Sequence, residues 1–321
     1  NAMLGTQQNL TAYNCYVIPI RCDTGGIDSR QAIIDTLGNM VEIMSRGGGV
    51  GINLSPLRPR LSYVAGVNGR SSGSVSWGAL FSFATGLVEQ GGSRRGALML
   101  VLEDWHPDLL EFITAKRDMQ AINNANISVA ISKAFMKAVK EDADWDLVFP
   151  DTQDPEYDEL WDGSIKRWRE KGKPVKVHRT LKAREIWDTI MESAWMSAEP
   201  GVVFLERMNE LSNSWYFEDL ICTNPCGEQP LPAWGVCNLG HINLSRFAVG
   251  PVGEASLDWD SLRRAVHGGV RFLDNVIDIT PYFFPHNEDV QKGQRRIGMG
   301  TMGLGELLIR IGKRYGSPES L

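Results

Sequence analysis

Five cysteines stand in the 321-residue chain, at 15, 22, 222, 226 and 237. The most informative lies in Asn224-Pro225-Cys226-Gly227-Glu228. Pro225 disfavours helix at Asn224, and Gly227 allows a sharp turn, so Cys226 is expected at a loop tip. In an extended loop, residues two apart point to one side. Asn224, Cys226 and Glu228 then offer an amide, a thiol and a carboxylate on one face. A carboxylate can take a proton, a thiol can do radical or nucleophilic work, and an amide can orient a hydroxyl.

Two other spacings invite different chemistry. Cys222, Cys226, Cys237 and His241 could form a tetrahedral zinc site. Their spacing is looser than that of paired zinc-ribbon cysteines, and zinc leaves Asn224, Glu228 and Asn238 without a purpose. A structural zinc protein therefore stays an alternative, and the leading reading has no metal ligands. Gly298-Met299-Gly300-Thr301-Met302-Gly303 matches a dinucleotide loop literally. That reading needs a strand just before it. Residues 291–296 are charged and not strand-like, so tight helix–loop packing is the expectation. Trp105 and His106 read as packing residues before Pro107 rather than as a catalytic pair.

The elements that must position these groups alternate. Strands are expected over 14–20, 50–54, 97–102, 127–131 and 201–205. Helices are expected over 28–46, with Asp28 as N-cap and Gly47 as stop, and over 76–89, 108–115, 180–197 and 258–279. Ser132 is expected to cap a further helix ending near 141. In the helix over 180–197, Ile186, Trp187, Ile190, Met191, Ala194 and Trp195 are assigned to the inward face. This βα alternation predicts an α/β fold with a mostly parallel sheet. Residues 151–175 form a polar insertion, acidic first and basic later, read as solvated with a charged helix.

Composition narrows the class. Thirty-three Lys+Arg against 39 Asp+Glu give a formal charge of −6, without the basic excess of a nucleic-acid binder. Five cysteines are too few and too odd in number for a disulfide scaffold. No apolar run is long enough to span a membrane, and no secretory signal is visible. A cytoplasmic location is expected. Residues 1–3 look like the remnant of a cleaved tag.

At Asn224-Pro225-Cys226-Gly227-Glu228 the chain resembles the finger loop of the ribonucleotide reductase catalytic subunit. The resemblance runs along nearly the whole chain. Asn14-Cys15-Tyr16-Val17 is similar to the family's first redox-cysteine strand, and Cys237-Asn238-Leu239-Gly240 to the second. Residues 47–60 resemble its glycine-rich strand and arginine, 89–96 an effector-responsive loop, and 295–308 a helix near mid-barrel. The wording Asn-Pro-Cys-Gly-Glu-Gln-Pro-Leu, with the triple-Gly strand, is more similar to the adenosylcobalamin-dependent class than to the class with a diiron partner subunit.

The resemblance implies a ten-stranded α/β barrel, of which this chain holds the first five-stranded half plus the finger loop. It implies that Cys226 carries a thiyl radical, Glu228 is the general base and Asn224 holds ribose hydroxyls. Cys15 and Cys237 become the redox pair, and Asn14 joins Cys15 in binding substrate. Asp28, Arg58 and Arg94 become effector contacts; N-cap and solvated surface charge are the plain alternatives for Asp28 and Arg58. Cys22 and Cys222 match no role. Implied partners are a ribonucleoside di- or triphosphate, a deoxynucleoside triphosphate effector, a thioredoxin-like or dithiol reductant, and a second copy in a homodimer. Adenosylcobalamin is the implied cofactor. Family members are far longer, so residues 4–321 read as an incomplete barrel domain, inactive alone. The other readings are a diiron-dependent large subunit and a non-catalytic deoxynucleotide-binding module.

Overall fold

A computed structural model describes residues 11–22, 25–90, 94–117 and 121–321. The chain divides into two compact units, one of residues 15–235 and one of residues 1–14 with 236–321. Residues 1–3 lie outside the described residues.

The larger unit is built by alternation: β1 (Cys15–Val17), α1 (Arg30–Ser45), β2 (Gly49–Asn53), α2 (Ser74–Leu87), β3 (Leu98–Glu103), α3 (Leu109–Thr114), β4 (Asn126–Ala130), α4 (Lys133–Glu141), α5 (Ala183–Ser197) and β5 (Gly201–Val203). The five strands form one parallel sheet in the order β5-β4-β3-β2-β1. Parallel strands are covered on both faces, which demands near-continuous apolar sequence. Leu98-Met99-Leu100-Val101-Leu102 supplies it, every residue buried. Burying each such side chain contributes roughly 1.5–3 kcal/mol.

Several boundaries differ from the expectation for identifiable reasons. Ser29, not Asp28, caps α1, its Oγ accepting the Ala32 N–H at 3.1 Å. Asp28 is occupied elsewhere, as described below. The helix expected from 180 begins at Ala183 because 175–182 is a strand. That strand, Val175–Lys182, pairs antiparallel with Asp144–Pro150. In α5, Met191 and Trp195 are exposed, Trp195 at 87%, while Ile186, Ile190 and Ser193 are buried. Nine residues separate Trp195 from Ile186, a half-turn offset at 100° per residue. Ser132 caps α4 as expected, its Oγ accepting the Phe135 N–H at 3.0 Å.

In segment 151–175, charged side chains face solvent, but Tyr157, Trp161 and Trp168 are buried. They pack with Trp105, Val148 and Phe149 in one aromatic cluster. His106 is buried too, with its Nε2 on the Leu57 carbonyl at 2.9 Å.

The smaller unit contains β8 (Val236–Asn243) and β9 (Ile297–Met302), paired in parallel, with helices Trp259–Ile279, Pro285–Gln294 and Leu304–Arg310. Strands β6 (Leu220–Thr223) and β7 (Pro230–Pro232) form a hairpin in the larger unit. The Gly-x-Gly-x-x-Gly segment is thus a strand, not a helix–loop contact or a nucleotide loop. A Cβ at Gly298 would approach the Leu239 side chain to 2.3 Å, and one at Gly300 would approach His241 to 2.8 Å. The glycines let β9 lie close against β8. Residues 295–308, expected as a helix, begin with that strand.

Candidate active site

The candidate loop is the tip of a hairpin, β6 (Leu220–Thr223) and β7 (Pro230–Pro232), paired antiparallel. It lies directly on β2. A Cβ at Gly51 would meet the Thr223 carbonyl oxygen at 1.8 Å and Cys222 Sγ at 3.2 Å. At Gly51 the glycine-rich strand admits the protein's own hairpin. Asn53, at the end of β2, donates from Nδ2 to the Ile221 carbonyl at 3.0 Å and to Glu103 Oε1 at 3.3 Å. Glu103 Oε2 accepts the Trp105 indole N–H at 2.7 Å. Burial raises the Glu103 pKa, opposed by these two hydrogen bonds.

The tip is a closed turn rather than an extended run. Gly227 N–H donates to the Asn224 carbonyl at 3.0 Å, and Gly227 has φ +83°. Asn224 N–H reaches the Gln229 carbonyl at 3.1 Å, and Gln229 N–H reaches Asn224 Oδ1 at 2.9 Å. Asn224 and Glu228 therefore meet across the turn, with Asn224 Nδ2 donating to Glu228 Oε1 at 2.7 Å. Cys15, on β1, joins them: its Sγ lies 3.2 Å from Asn224 Nδ2 and 4.0 Å from Glu228 Oε1. Asn224 and Cys15 are both 2% exposed.

Cys226 projects from this cluster and is exposed. Partial burial and then the Glu228 charge raise its thiol pKa. A raised pKa disfavours the thiolate form of this group. Cys222 is fully buried, and burial pushes its pKa far up, as suits an inert thiol. Among the described residues no group of three His, Cys, Asp or Glu side chains could hold a metal ion.

Cys237 belongs to the smaller unit, on β8, 0% exposed. Its thiol donates to the Asn238 carbonyl at 3.4 Å. Asn14 N–H, in the same unit, donates to the Cys237 carbonyl at 3.4 Å.

Asp28 and Arg58 meet each other. Arg58 Nε and Nη2 donate to the two Asp28 carboxylate oxygens at 2.5 and 2.9 Å, and the Tyr157 hydroxyl adds a third bond at 2.8 Å. Asp28 is 6% exposed. Hydrogen bonding and charge from Asp28 outweigh burial and hold the Arg58 pKa above its ordinary value. Of Arg94 only the backbone is described, paired with Gln90 in a short hairpin. Gly91 and Gly92 of the expected switching loop lie outside the described residues. Motif reading missed Asn53; a lone Asn at a strand end carries no signal until the hairpin is seen on it.

A thiol at a turn tip, beside buried Asn224 and Cys15 and exposed Glu228 on a parallel α/β sheet, offers the groups that thiol-based redox or radical chemistry would use. Residues 13–321 match the family model described as ribonucleotide reductase, barrel domain. The chain belongs to the ribonucleotide reductase barrel-domain family. Similar proteins include the vitamin B12-dependent ribonucleoside-diphosphate reductase of Thermoplasma acidophilum, 37% identical over 96% of this chain and 36% of that protein. The protein of the same description from Mycobacterium tuberculosis is 37% identical over 99% of this chain and 41% of its own length. The ribonucleoside-diphosphate reductase large subunit of variola virus is 30% identical over 91% of this chain and 39% of that protein. The chain thus spans about two-fifths of the length of these relatives.

Proposed function

We propose that this chain is the first half-barrel and finger loop of an adenosylcobalamin-dependent ribonucleotide reductase. The exposed Cys226 at the tip of the turn that joins Asn224, Glu228 and Cys15 is the observation that carries the reading. In it, a Cys226 thiyl radical takes the ribose 3′-hydrogen, becomes S–H, and returns that hydrogen to C3′ at the end, so that the radical is again on Cys226. Glu228 accepts the 3′-hydroxyl proton as general base. Asn224 orients the ribose hydroxyls by exchanging its bond to Glu228 for one to substrate. Cys15 and Cys237 supply two electrons and two hydrogens, closing to a disulfide as the 2′-hydroxyl leaves as water. Asn14 lines the substrate beside Cys15.

The fit to adenosylcobalamin rests on Cys226, whose thiol at the loop tip is open to a bulky group arriving from solvent. The cofactor, when bound, supplies the hydrogen-abstracting radical. Greater identity to the B12-dependent relatives, 37% against 30%, favours this class over the diiron-dependent one. A ribonucleoside di- or triphosphate is the substrate, a thioredoxin-like protein or dithiol the reductant, and a homodimer the assembly. Asp28, Arg58 and Arg94 contact a deoxynucleoside triphosphate effector.

The test is deoxyribonucleotide formation by the full-length protein with ribonucleotide, dithiol and adenosylcobalamin. Cys226→Ser should abolish it. Cys237→Ser should stop it after one turnover at most, and Cys22→Ser should leave it intact. Full activity in Cys226→Ser sinks the reading. In an effector titration, Arg58→Ala should weaken deoxynucleotide binding; unchanged affinity removes Arg58 from that role.

A further inference from the structure

Asn126 opens β4, far from the Asn224–Glu228 motif in sequence. Its Nδ2 nevertheless donates to the Pro225 carbonyl at 2.7 Å. That carbonyl belongs to the peptide linking Pro225 to Cys226, the middle peptide of the 224–227 turn. Type I and type II turns share the closing hydrogen bond and differ by a flip of this middle peptide. The Gly227–Asn224 bond therefore closes the tip without deciding which way the Pro225–Cys226 peptide faces. Cys226 lacks the positive φ that the type II form would require of it, and the Asn126 amide grips the carbonyl of the observed form from outside the turn.

The gripping residue is itself anchored. Its neighbour Ile127 donates its N–H to Glu199 Oε1 at 3.1 Å, and the same carboxylate pairs with Lys116. Asn126 sits in register with Met99 of β3, and the Met99 Cε lies 3.9 Å from where a Gly227 Cβ would be. With Asn53 on the Ile221 carbonyl, two strand-end amides hold the hairpin at stem and tip.

We propose that Asn126 is a positioning residue for Cys226, fixing the Pro225–Cys226 peptide so that the thiol is held beside Glu228. Its importance to catalysis rests on the reading of Cys226 as the reacting thiol, but the thiol itself can be read directly. Release of the tip takes Cys226 away from the Glu228 charge and from partial burial, the two causes of its raised pKa.

The experiment is site-resolved alkylation of Cys226 with iodoacetamide, followed by peptide mass spectrometry across pH, on this chain with Cys22→Ser. Thermal unfolding is followed in parallel. Asn126→Ala should move the alkylation midpoint to lower pH and raise the neutral-pH rate by about threefold, half a pKa unit. Asn126→Gln, which keeps an N–H donor, should return part of the shift. If Asn126→Ala does not fold, Asn126→Thr is read the same way. An unchanged alkylation profile overturns the proposal, whatever the melting temperature does. In the full-length protein, Asn126→Ala should lower kcat with KM retained. A shifted alkylation profile with unchanged turnover would uphold the positioning and overturn the role of Cys226 in the reaction.

Discussion

In the proposed reaction Cys226 moves a hydrogen atom and Glu228 a proton. Both are exposed, and the Glu228 charge acts on the Cys226 thiol. Because the Glu228 carboxylate raises the Cys226 pKa, Glu228→Gln should lower the pH midpoint of Cys226 alkylation. A midpoint that stays or rises contradicts the assigned cause. Asp104 supplies a second titration. Its Oδ2 accepts the Ser132 N–H at 2.6 Å, and burial, with Glu103 and Glu206 nearby, pushes its pKa up from 3.8 to about 7. Between those values the folded state binds the extra proton, so this group's contribution to stability is full below the unfolded pKa and is lost as pH rises toward 7. Asp104→Asn keeps an acceptor and loses the titration. Its melting temperature relative to wild type should therefore climb from about pH 5 to pH 8; a flat difference contradicts the assignment. The Asn-x-Cys-x-Glu triad was legible in sequence because Pro and Gly announce a turn. The pairing of Asn224 with Glu228 was not, since an extended loop and a closed turn place the same residues differently.

At the scale of elements, the hairpin depends on a missing methyl. Gly51→Ala would put a Cβ 1.8 Å from the Thr223 carbonyl, and backbone cannot yield as a side-chain tip can. The variant should lose roughly 1–3 kcal/mol in urea unfolding, and Cys222, now fully buried, should become open to alkylation. Wild-type stability with Cys222 still protected would show that the close approach is not needed. Element type was mostly legible where periodicity and caps agree, as at Ser132 and along 98–103. It failed where tertiary demands decide. Asp28 looks like a cap but serves Arg58 and Tyr157, leaving the cap to Ser29. Residues 297–302 look like a glycine loop, but only glycine can lie so close to Leu239 and His241 in a neighbouring strand. Tyr157, Trp161 and Trp168 were hidden in a charged segment whose composition averages away its aromatic anchors.

At the scale of the whole molecule, the fold was legible because βα alternation and the glycine-rich strand point to one parallel architecture. The relatives extend well beyond this stretch, and with them the reaction. The chain alone is expected to form no deoxyribonucleotide under conditions where the full-length protein does; turnover by the chain alone would show that the remaining length is dispensable. No helix among the described residues is long and apolar enough to cross a membrane. The central claim is that Cys226 takes the 3′-hydrogen of a ribonucleotide. The most direct measurement is single-turnover reduction of a 3′-deuterated ribonucleotide by the full-length protein with adenosylcobalamin and dithiol. The account predicts a slowed deoxyribonucleotide-forming step in wild type, with product keeping deuterium at C3′, and no product from Cys226→Ser. Equal rates for the two isotopes together with product from Cys226→Ser would contradict it.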